Sequence, residues 1–119
     1  MDSLNNIKTE LRKFASERDW DQFHTPKNIA LALTAEVGEL VEHFQWLTEE
    51  QIINYLKSPK NKEAVADEIA DVFSYLIRLS DKLDIALGPH FQKKLEKNKA
   101  KYPVEKAKGS AKKYSELDK

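Results

Sequence analysis

Two short segments of the sequence repeat one arrangement of acidic and apolar residues. Glu36 and Glu39 belong to one segment and Glu68 and Asp71 to the other, and in each pair an apolar residue and a small residue lie between the acids. Residues three apart on a helix point about 60° from each other. Each pair is therefore expected on one helix face, beside the apolar positions of that helix.

The position of these acids favours a metal site. A carboxylate beside apolar surface loses hydration and needs a cation or hydrogen-bond donors in compensation. Gly38 and Ala70, between the acids, are small enough for two antiparallel helices to approach and join the pairs into one all-oxygen site. Such a site suits Mg²⁺, with Mn²⁺ as a substitute. The competing interpretation is that the acids are ion-paired edges of two solvated helices.

The elements that would position the acids are helices. Apolar residues at three- and four-residue spacing predict helices over residues 4–17, 26–45, 48–57, 62–83 and 89–101. Thr25-Pro26 is typical of a helix start, and Ser58-Pro59 is expected to end the third helix. One apolar stripe is expected on the second helix and one on the fourth, formed by Ile29, Leu33, Val37, Leu40, Val41 and Phe44 and by Val65, Ile69, Val72, Phe73, Leu76, Leu79 and Leu83.

Length and composition limit the fold class. The chain has 119 residues, of which 40% are hydrophobic and 34% charged, with three glycines and four prolines. This composition predicts an all-α protein with one main domain, residues 1–103, followed by a lysine-rich tail, residues 104–119. A helical chain of this length buries only part of its apolar surface alone, so we expect a homo-oligomer.

Charge and residue usage disfavour several classes of partner. Twenty Lys and Arg residues balance twenty Asp and Glu residues, so no stable nucleic-acid partner is expected. The sequence has no cysteine, and no apolar segment long enough for a signal peptide or a membrane span. A cytoplasmic protein is the resulting expectation.

Five segments carry a family resemblance. They are residues 18–24 (RDWDQFH), 36–46 (EVGELVEHFQW), 67–71 (DEIAD), 98–103 (NKAKYP) and 113–117 (KYSEL). Together they resemble the MazG-like all-α nucleoside triphosphate pyrophosphatases, and most closely the dCTP pyrophosphatase branch. The resemblance implies a four- to five-helix bundle completed by dimerisation, in a dimer of dimers, and a role in nucleotide pool sanitation.

The same resemblance implies a reaction. A deoxynucleoside triphosphate, dCTP or a modified dCTP, would be cleaved to the monophosphate and pyrophosphate by attack of a metal-activated water on the α-phosphorus. Glu36, Glu39, Glu68 and Asp71 would be the Mg²⁺ ligands and the catalytic residues. One of them, with Glu39 as the first candidate, would also orient or deprotonate the water.

Eight further residues are predicted to bind the substrate. Aromatic rings stack on nucleobases, and amide and ammonium groups contact phosphates. The predicted residues are Trp20, His24, Trp46, Tyr75, Lys94, Asn98, Lys101 and Tyr102. The alternative is that the aromatic residues are ordinary core residues and that the lysines only solvate a helix.

Two other functions compete with the enzyme. A di-iron carboxylate bundle would need Glu-x-x-His pairs, which the sequence does not contain. A non-catalytic helical oligomerisation or interaction module needs only amphipathic helices with charged outer faces, and it is the main rival. Because ligand binding stabilises a folded protein, the enzyme should gain stability with divalent metal and the module should not.

Overall fold

In a computed structural model, the regular secondary structure of the described residues, 3–118, is entirely helical. It contains six α-helices, α1 (Ser3–Glu17), α2 (Pro26–Glu42), α3 (Glu49–Tyr55), α4 (Pro59–Lys82), α5 (Leu87–Lys101) and α6 (Val104–Ala107), and two 3₁₀ turns, Asp21–Phe23 and Tyr114–Glu116. No strand occurs in this range, which confirms the all-α class. Within it, no helix combines the length and the hydropathy that crossing a membrane requires.

Local hydrogen bonds explain where the helices begin. The Thr25 hydroxyl accepts a bond from the Asn28 backbone N–H, and Pro26 follows at the first helical position, as expected. Thr48 and Gln51 form a reciprocal capping box at α3. Ser58 caps α4 in the same way as Thr25 caps α2, so the expectation that Ser58-Pro59 only ends the third helix was incomplete.

The end of α2 also differs from the prediction. The helix ends at Glu42, not near Gln45, because the next two backbone N–H groups bond three residues back instead of four. His43 N donates to Leu40 O, and Phe44 N donates to Val41 O. Trp46 is therefore carried by a turn after α2, outside the regular face of the helix.

Residues 3–85 form one compact unit around α4. The most extensive helix contact is that of α2 with α4, and α1 lies against α4 as well. The buried apolar residues are few, namely Ala15, Ile29, Val65 and Ile77, and one charged residue, Arg78, is buried with them. This small core holds the two acid-bearing helices side by side.

Only part of the apolar stripe predicted on each of α2 and α4 is buried within this unit. Val37 and Val41 of α2 are exposed, and so are Ile69, Phe73 and Leu76 of α4 and Leu83, which caps the end of that helix. These last four positions are separated by four, three and seven residues, which places them on one side of the helix. The stripe of each helix is continuous at the helical period, but this unit covers only part of it, so helical spacing alone does not tell which of its residues are buried.

Residues 86–118 form the second compact unit. The Tyr102 ring, at the end of α5, meets the Tyr114 ring edge-on at 6.2 Å, and the Lys101 ammonium lies 4.9 Å from the centre of the same Tyr114 ring. Lys106 and Asp118 form an ion pair at 2.8 Å. The described tail residues thus contact the end of α5 and each other, while the division into residues 1–103 and 104–119 stays a prediction.

Truncation of the core should reveal how strongly the unit depends on its few buried residues. Ile29 is 1% exposed, so Ile29→Ala is expected to lower the free energy of unfolding by roughly 2–5 kcal/mol, because it leaves a cavity. Ile53 is 65% exposed, and Ile53→Ala should change the free energy of unfolding by less than about 0.5 kcal/mol. Urea unfolding at one fixed protein concentration measures both; equal losses would contradict the described core.

Candidate active site

Three of the four predicted acids meet where α2 and α4 pack together. Glu36 and Glu39 of α2 and Glu68 of α4 each place one carboxylate oxygen within 4.8 Å of the others. Asp71 follows Glu68 by one turn of α4, and its charge contributes to the raised pKa of both Glu36 and Glu68. The three glutamates, called here the acid cluster, are the kind of group that could hold a cation.

The acid cluster contains carboxylate oxygens that no protein donor satisfies. Oε2 of Glu36 and Oε2 of Glu68 are buried, and neither has a hydrogen-bond partner among the described residues. Loss of hydration, followed by the neighbouring Glu39 carboxyl, raises the pKa of Glu36 to about 7. The pKa of Glu68 is raised for the same leading reason. Buried oxygens of this kind are unfavourable unless a proton or a cation compensates them, so the residues present fit a hard divalent metal ion.

The small residues between the acids do not explain the helix approach. Gly38 and Ala70 are exposed, and a Cβ atom added to Gly38 would meet no atom of the described chain within 4 Å. A residue two positions after an acid points about 200° away from it on a helix. The expectation that these residues open the α2–α4 contact was therefore wrong, because they face away from the acid cluster.

A cavity of about 390 Å³ lies on one side of the acids, and we call it the first cavity. Its walls combine two acids with aromatic, aliphatic and polar side chains: Glu36, Asp71, Leu11, Phe14, Ala15, Trp20, His24, Ser74, Tyr75 and Arg78. Three predicted substrate-binding residues, Trp20, His24 and Tyr75, are thus brought together. The Phe14 and Trp20 rings meet edge-on with their centroids 5.7 Å apart, so together they form an aromatic wall of the cavity.

Sequence reasoning missed Arg78, the buried charge of this cavity. Its Nε donates to His24 Nδ1 at 3.2 Å, and its Nη2 donates to Asp21 Oδ1 at 2.6 Å. A signal was present, since Tyr75 and Arg78 follow Asp71 by four and seven residues and so share its helix face. Its position on the acid-bearing face of the helix marks this arginine as a candidate site residue.

A second cavity, of about 460 Å³, lies on the other side of the acids. It is lined by Glu39, Glu42, His43, Trp46, Leu47, Tyr55 and Glu68. Trp46 is 84% exposed there and is separate from the aromatic residues of the first cavity. His43 Nδ1 lies 2.8 Å from the Tyr55 hydroxyl, a contact that the sequence pattern did not reveal.

The remaining predicted substrate-binding residues belong to the second unit. Lys94, Asn98 and Lys101 are exposed on α5 at intervals of four and three residues, which places them on one side of that helix. Tyr102 ends the helix, and its N–H donates to Asn98 O. Their role in binding a triphosphate stays a prediction.

Comparison with known proteins identifies the family. Residues 31–117 match the sequence model of the MazG-like family. The chain belongs to the MazG-like family. It is 40% identical over 115 residues to dCTP pyrophosphatase 1 of cattle and of humans, an alignment that covers 97% of this chain and 68% of each relative. A solved pyrophosphatase from Archaeoglobus fulgidus shares 38% identity and a TM-score of 0.79, over 87% of this chain and 94% of that one.

These comparisons confirm two predictions from the sequence. The resemblance to MazG-like proteins, and within them to dCTP pyrophosphatases, is confirmed by the family match and by the identity across nearly the whole chain. The prediction of a dCTP pyrophosphatase-like enzyme is confirmed as well. The acid cluster lies wholly within the matched range, since the match begins before Glu36 and continues beyond Glu68.

The raised pKa of Glu36 predicts how the stability of the metal-free protein depends on pH. The ordinary pKa is 4.5 and the folded pKa is about 7, so between these values the folded state binds more protons than the unfolded state. The free energy of unfolding contributed by Glu36 should therefore fall as pH rises from about 4.5 to about 7 and level off above that. Glu36→Gln removes this contribution.

The measurement is a series of urea unfolding curves with chelator present, for parent and Glu36→Gln at each pH. Subtracting the free energy of unfolding of the parent from that of the variant at each pH isolates the contribution of Glu36. The contribution of His24, whose pKa is lowered by burial, changes in the opposite direction near pH 6.5 and cancels in the difference. The stability of the variant relative to the parent should rise with pH across the window. A flat difference would show that Glu36 titrates normally.

Proposed function

We propose that this protein is a Mg²⁺-dependent nucleoside triphosphate pyrophosphohydrolase that cleaves dCTP, or a modified dCTP, to the monophosphate and pyrophosphate. The observation that carries the proposal is the pair of buried, unpartnered oxygens on Glu36 and Glu68, at the edge of an aromatic-lined cavity. The 40% identity to proteins named dCTP pyrophosphatase 1 supports the choice of substrate. Clearing such nucleotides from the pool is the corresponding role in the cell.

Metal binding would resolve the electrostatic problem of the acid cluster. Glu36, Glu39 and Glu68 would hold Mg²⁺ through carboxylate oxygens, with Asp71 as the fourth ligand contributed by the same face of α4. Mn²⁺ has a similar preference for oxygen ligands and would substitute. When bound, the ion supplies neutralisation of phosphate oxygens and a lower pKa for water.

The chemistry left to the protein is proton transfer and positioning. A water oxygen forms a bond to the α-phosphorus, and the bond from that phosphorus to the bridging oxygen breaks, which releases pyrophosphate. We assign the water's proton to Glu39, whose side chain is the exposed member of the acid cluster and is accessible to a water molecule. No covalent intermediate with the protein is needed.

The first cavity is the proposed site of the base. Its volume of about 390 Å³ suits a small ligand, and Trp20 and Tyr75 offer planar rings beside it. Glu36 and Asp71 line the same cavity, which places the base next to the metal ligands. Trp46 is the proposed substrate contact in the second cavity. The α5 residues Lys94, Asn98, Lys101 and Tyr102 are proposed as substrate contacts from the sequence alone.

We propose that the exposed apolar residues along α4 form an interface between copies of this chain. Ile69, Phe73 and Leu76 of α4 form a surface stripe with Leu83 at the end of the helix, and apolar area of this kind normally marks an interface. A second copy of the chain, packed through α4, would bury the stripe and supply the core that one copy lacks. We therefore propose a homodimer, and a dimer of dimers as the complete assembly.

The function is tested by incubating the protein with each deoxynucleoside triphosphate and Mg²⁺ and identifying the products. Monophosphate plus pyrophosphate should form, fastest from dCTP or a modified dCTP. Glu68→Gln and Glu39→Gln should each lower kcat by roughly 100-fold or more, because each removes charge stabilisation of several kcal/mol. Glu63→Gln, at an exposed position of α4 outside the acid cluster, is the matched control and should be active.

Other outcomes of this assay have definite meanings. Diphosphate plus orthophosphate would place the attack at the wrong phosphorus. Full activity in Glu68→Gln would remove the acid cluster from the mechanism. No turnover of any nucleotide with Mg²⁺ or Mn²⁺, by protein shown to be folded, would favour the non-catalytic helical module.

The proposed interface predicts the effect of one charge on α4. Phe73→Glu places a carboxylate in the exposed stripe, where burial against a second copy would cost hydration. The variant should have a lower mass in light scattering after size-exclusion chromatography than the parent at equal concentration. Asn6→Glu adds the same charge at an exposed position of α1 and should leave the mass unchanged. An unchanged mass for Phe73→Glu would mean that another surface forms the oligomer.

A further inference from the structure

We propose that Arg78 is a positioning residue that fixes the proton of His24 on Nε2, so that His24 acts as a hydrogen-bond donor toward an acceptor atom of the nucleobase. This inference rests on the proposed function only in naming a base as the ligand of the first cavity. The protonation state of His24 itself is a property of the protein without substrate, and it can be measured without turnover.

The contacts of Arg78 leave its guanidinium committed within the protein. The residue is 5% exposed although it lines the first cavity. Its Nε donates to His24 Nδ1, its Nη2 donates to Asp21 Oδ1, and its Nη1 lies 3.8 Å from Asp81 Oδ2. Because the guanidinium contacts three protein side chains, we expect it to influence a ligand indirectly, by orienting one of them. Of the three, only His24 also lines the first cavity.

The bond to Arg78 determines the tautomer of His24. An arginine is always protonated in proteins, so its Nε can only donate, and the nitrogen that receives the bond must be an unprotonated acceptor. That nitrogen is Nδ1. Burial, and next the charge of Arg78, lower the pKa of His24, which keeps the ring neutral near pH 7. A neutral imidazole with a free lone pair on Nδ1 carries its proton on Nε2.

A network of ion pairs holds this arrangement in place. Asp21 Oδ1 accepts from Lys82 Nζ at 2.6 Å as well as from Arg78. Asp81 follows Arg78 by three residues and accepts from Arg12 Nε at 2.7 Å and Arg12 Nη2 at 2.6 Å. The bond to Asp21 holds the Arg78 guanidinium beside His24, whereas the Arg12–Asp81 pair joins α1 to α4 and does not contact His24.

A fixed donor imposes a condition on the ligand. The base must present a carbonyl oxygen or an unprotonated ring nitrogen to His24, because an exocyclic amine at that point would leave two donors facing each other. For a cytosine ring this favours the edge that carries O2 and N3 over the amine group. His24 would thus orient the base, while the aromatic walls accept any planar ring.

The direct test is the ¹⁵N NMR spectrum of the histidine ring in the full-length, metal-free, nucleotide-free protein at pH 7. His24→Gln identifies the His24 signals by their loss. The expected result is an unprotonated Nδ1 and a protonated Nε2, with no minor tautomer. A proton on Nδ1, or protons on both nitrogens, would overturn the proposal. In Arg78→Lys, in which the charge is kept but Nε is lost, both tautomers should be detected if Arg78 sets the choice.

Kinetics with the fastest nucleotide separates positioning from structural damage. The longer amide of His24→Gln can bring an N–H near the position of Nε2, whereas the shorter amide of His24→Asn cannot. His24→Asn should therefore raise KM roughly tenfold, with kcat within twofold, as expected for one lost hydrogen bond in binding. The KM of His24→Gln should be much closer to that of the parent than the KM of His24→Asn. Equal KM values for the two variants would overturn the role of the donor.

Arg12→Ala is the matched control for loss of an arginine from the network. It breaks the Asp81 ion pair without a direct contact to His24. The tautomer and KM should be unchanged, whereas Arg78→Lys should change both. If no nucleotide is cleaved by any form, the proposed function fails, yet the NMR result still decides whether Arg78 fixes His24.

Discussion

The contact between α2 and α4 brings like charges together against apolar surface, and the rest of the site follows from this contact. Residues such as Ile29 and Val65 are buried in the unit and favour close packing of the helices. The same packing takes water away from the Glu36 and Glu68 carboxylates and sets them near Glu39. Hydrophobic burial thereby supplies the free energy that holds repelling carboxylates at short distances. A cation bound between these carboxylates would relieve that repulsion.

The acids separate two environments of different character. Glu36 and Asp71 face a cavity with aromatic walls, a buried arginine and a half-buried histidine. Glu39 and Glu68 face a more open cavity that holds the exposed Trp46. A ligand that contacts the acids from one side therefore meets walls joined by hydrogen bonds and ring contacts, and from the other side it meets a more open surface around Trp46.

Local rules account for much of what the sequence predicted. Caps at Thr25 and Thr48 and the long apolar period of α4 depend on neighbours within one or two turns, so the element order was predictable. The pairing of Glu36 and Glu39 with Glu68 was predictable because both segments show the same spacing on amphipathic helices.

Features that depend on distant partners were not predictable in this way. The Arg78 contacts reach Asp21 and His24 across more than fifty residues, and no periodicity encodes such a contact. Which members of the α2 and α4 stripes are buried was not predictable either, because buried and exposed members follow the same helical period. The position of Gly38 was misjudged because its size was considered without its direction on the helix.

The sequence contains two tryptophans, and the structure assigns one to each cavity. Trp20 is in contact with Phe14 and close to His24, whereas Trp46 is almost fully in water. Indole emission depends on polarity and on nearby quenching groups, so the two residues are distinct intrinsic fluorophores at the two sides of the acid cluster. The molecule carries its own pair of optical reporters, which can follow occupancy of each side separately without an attached dye.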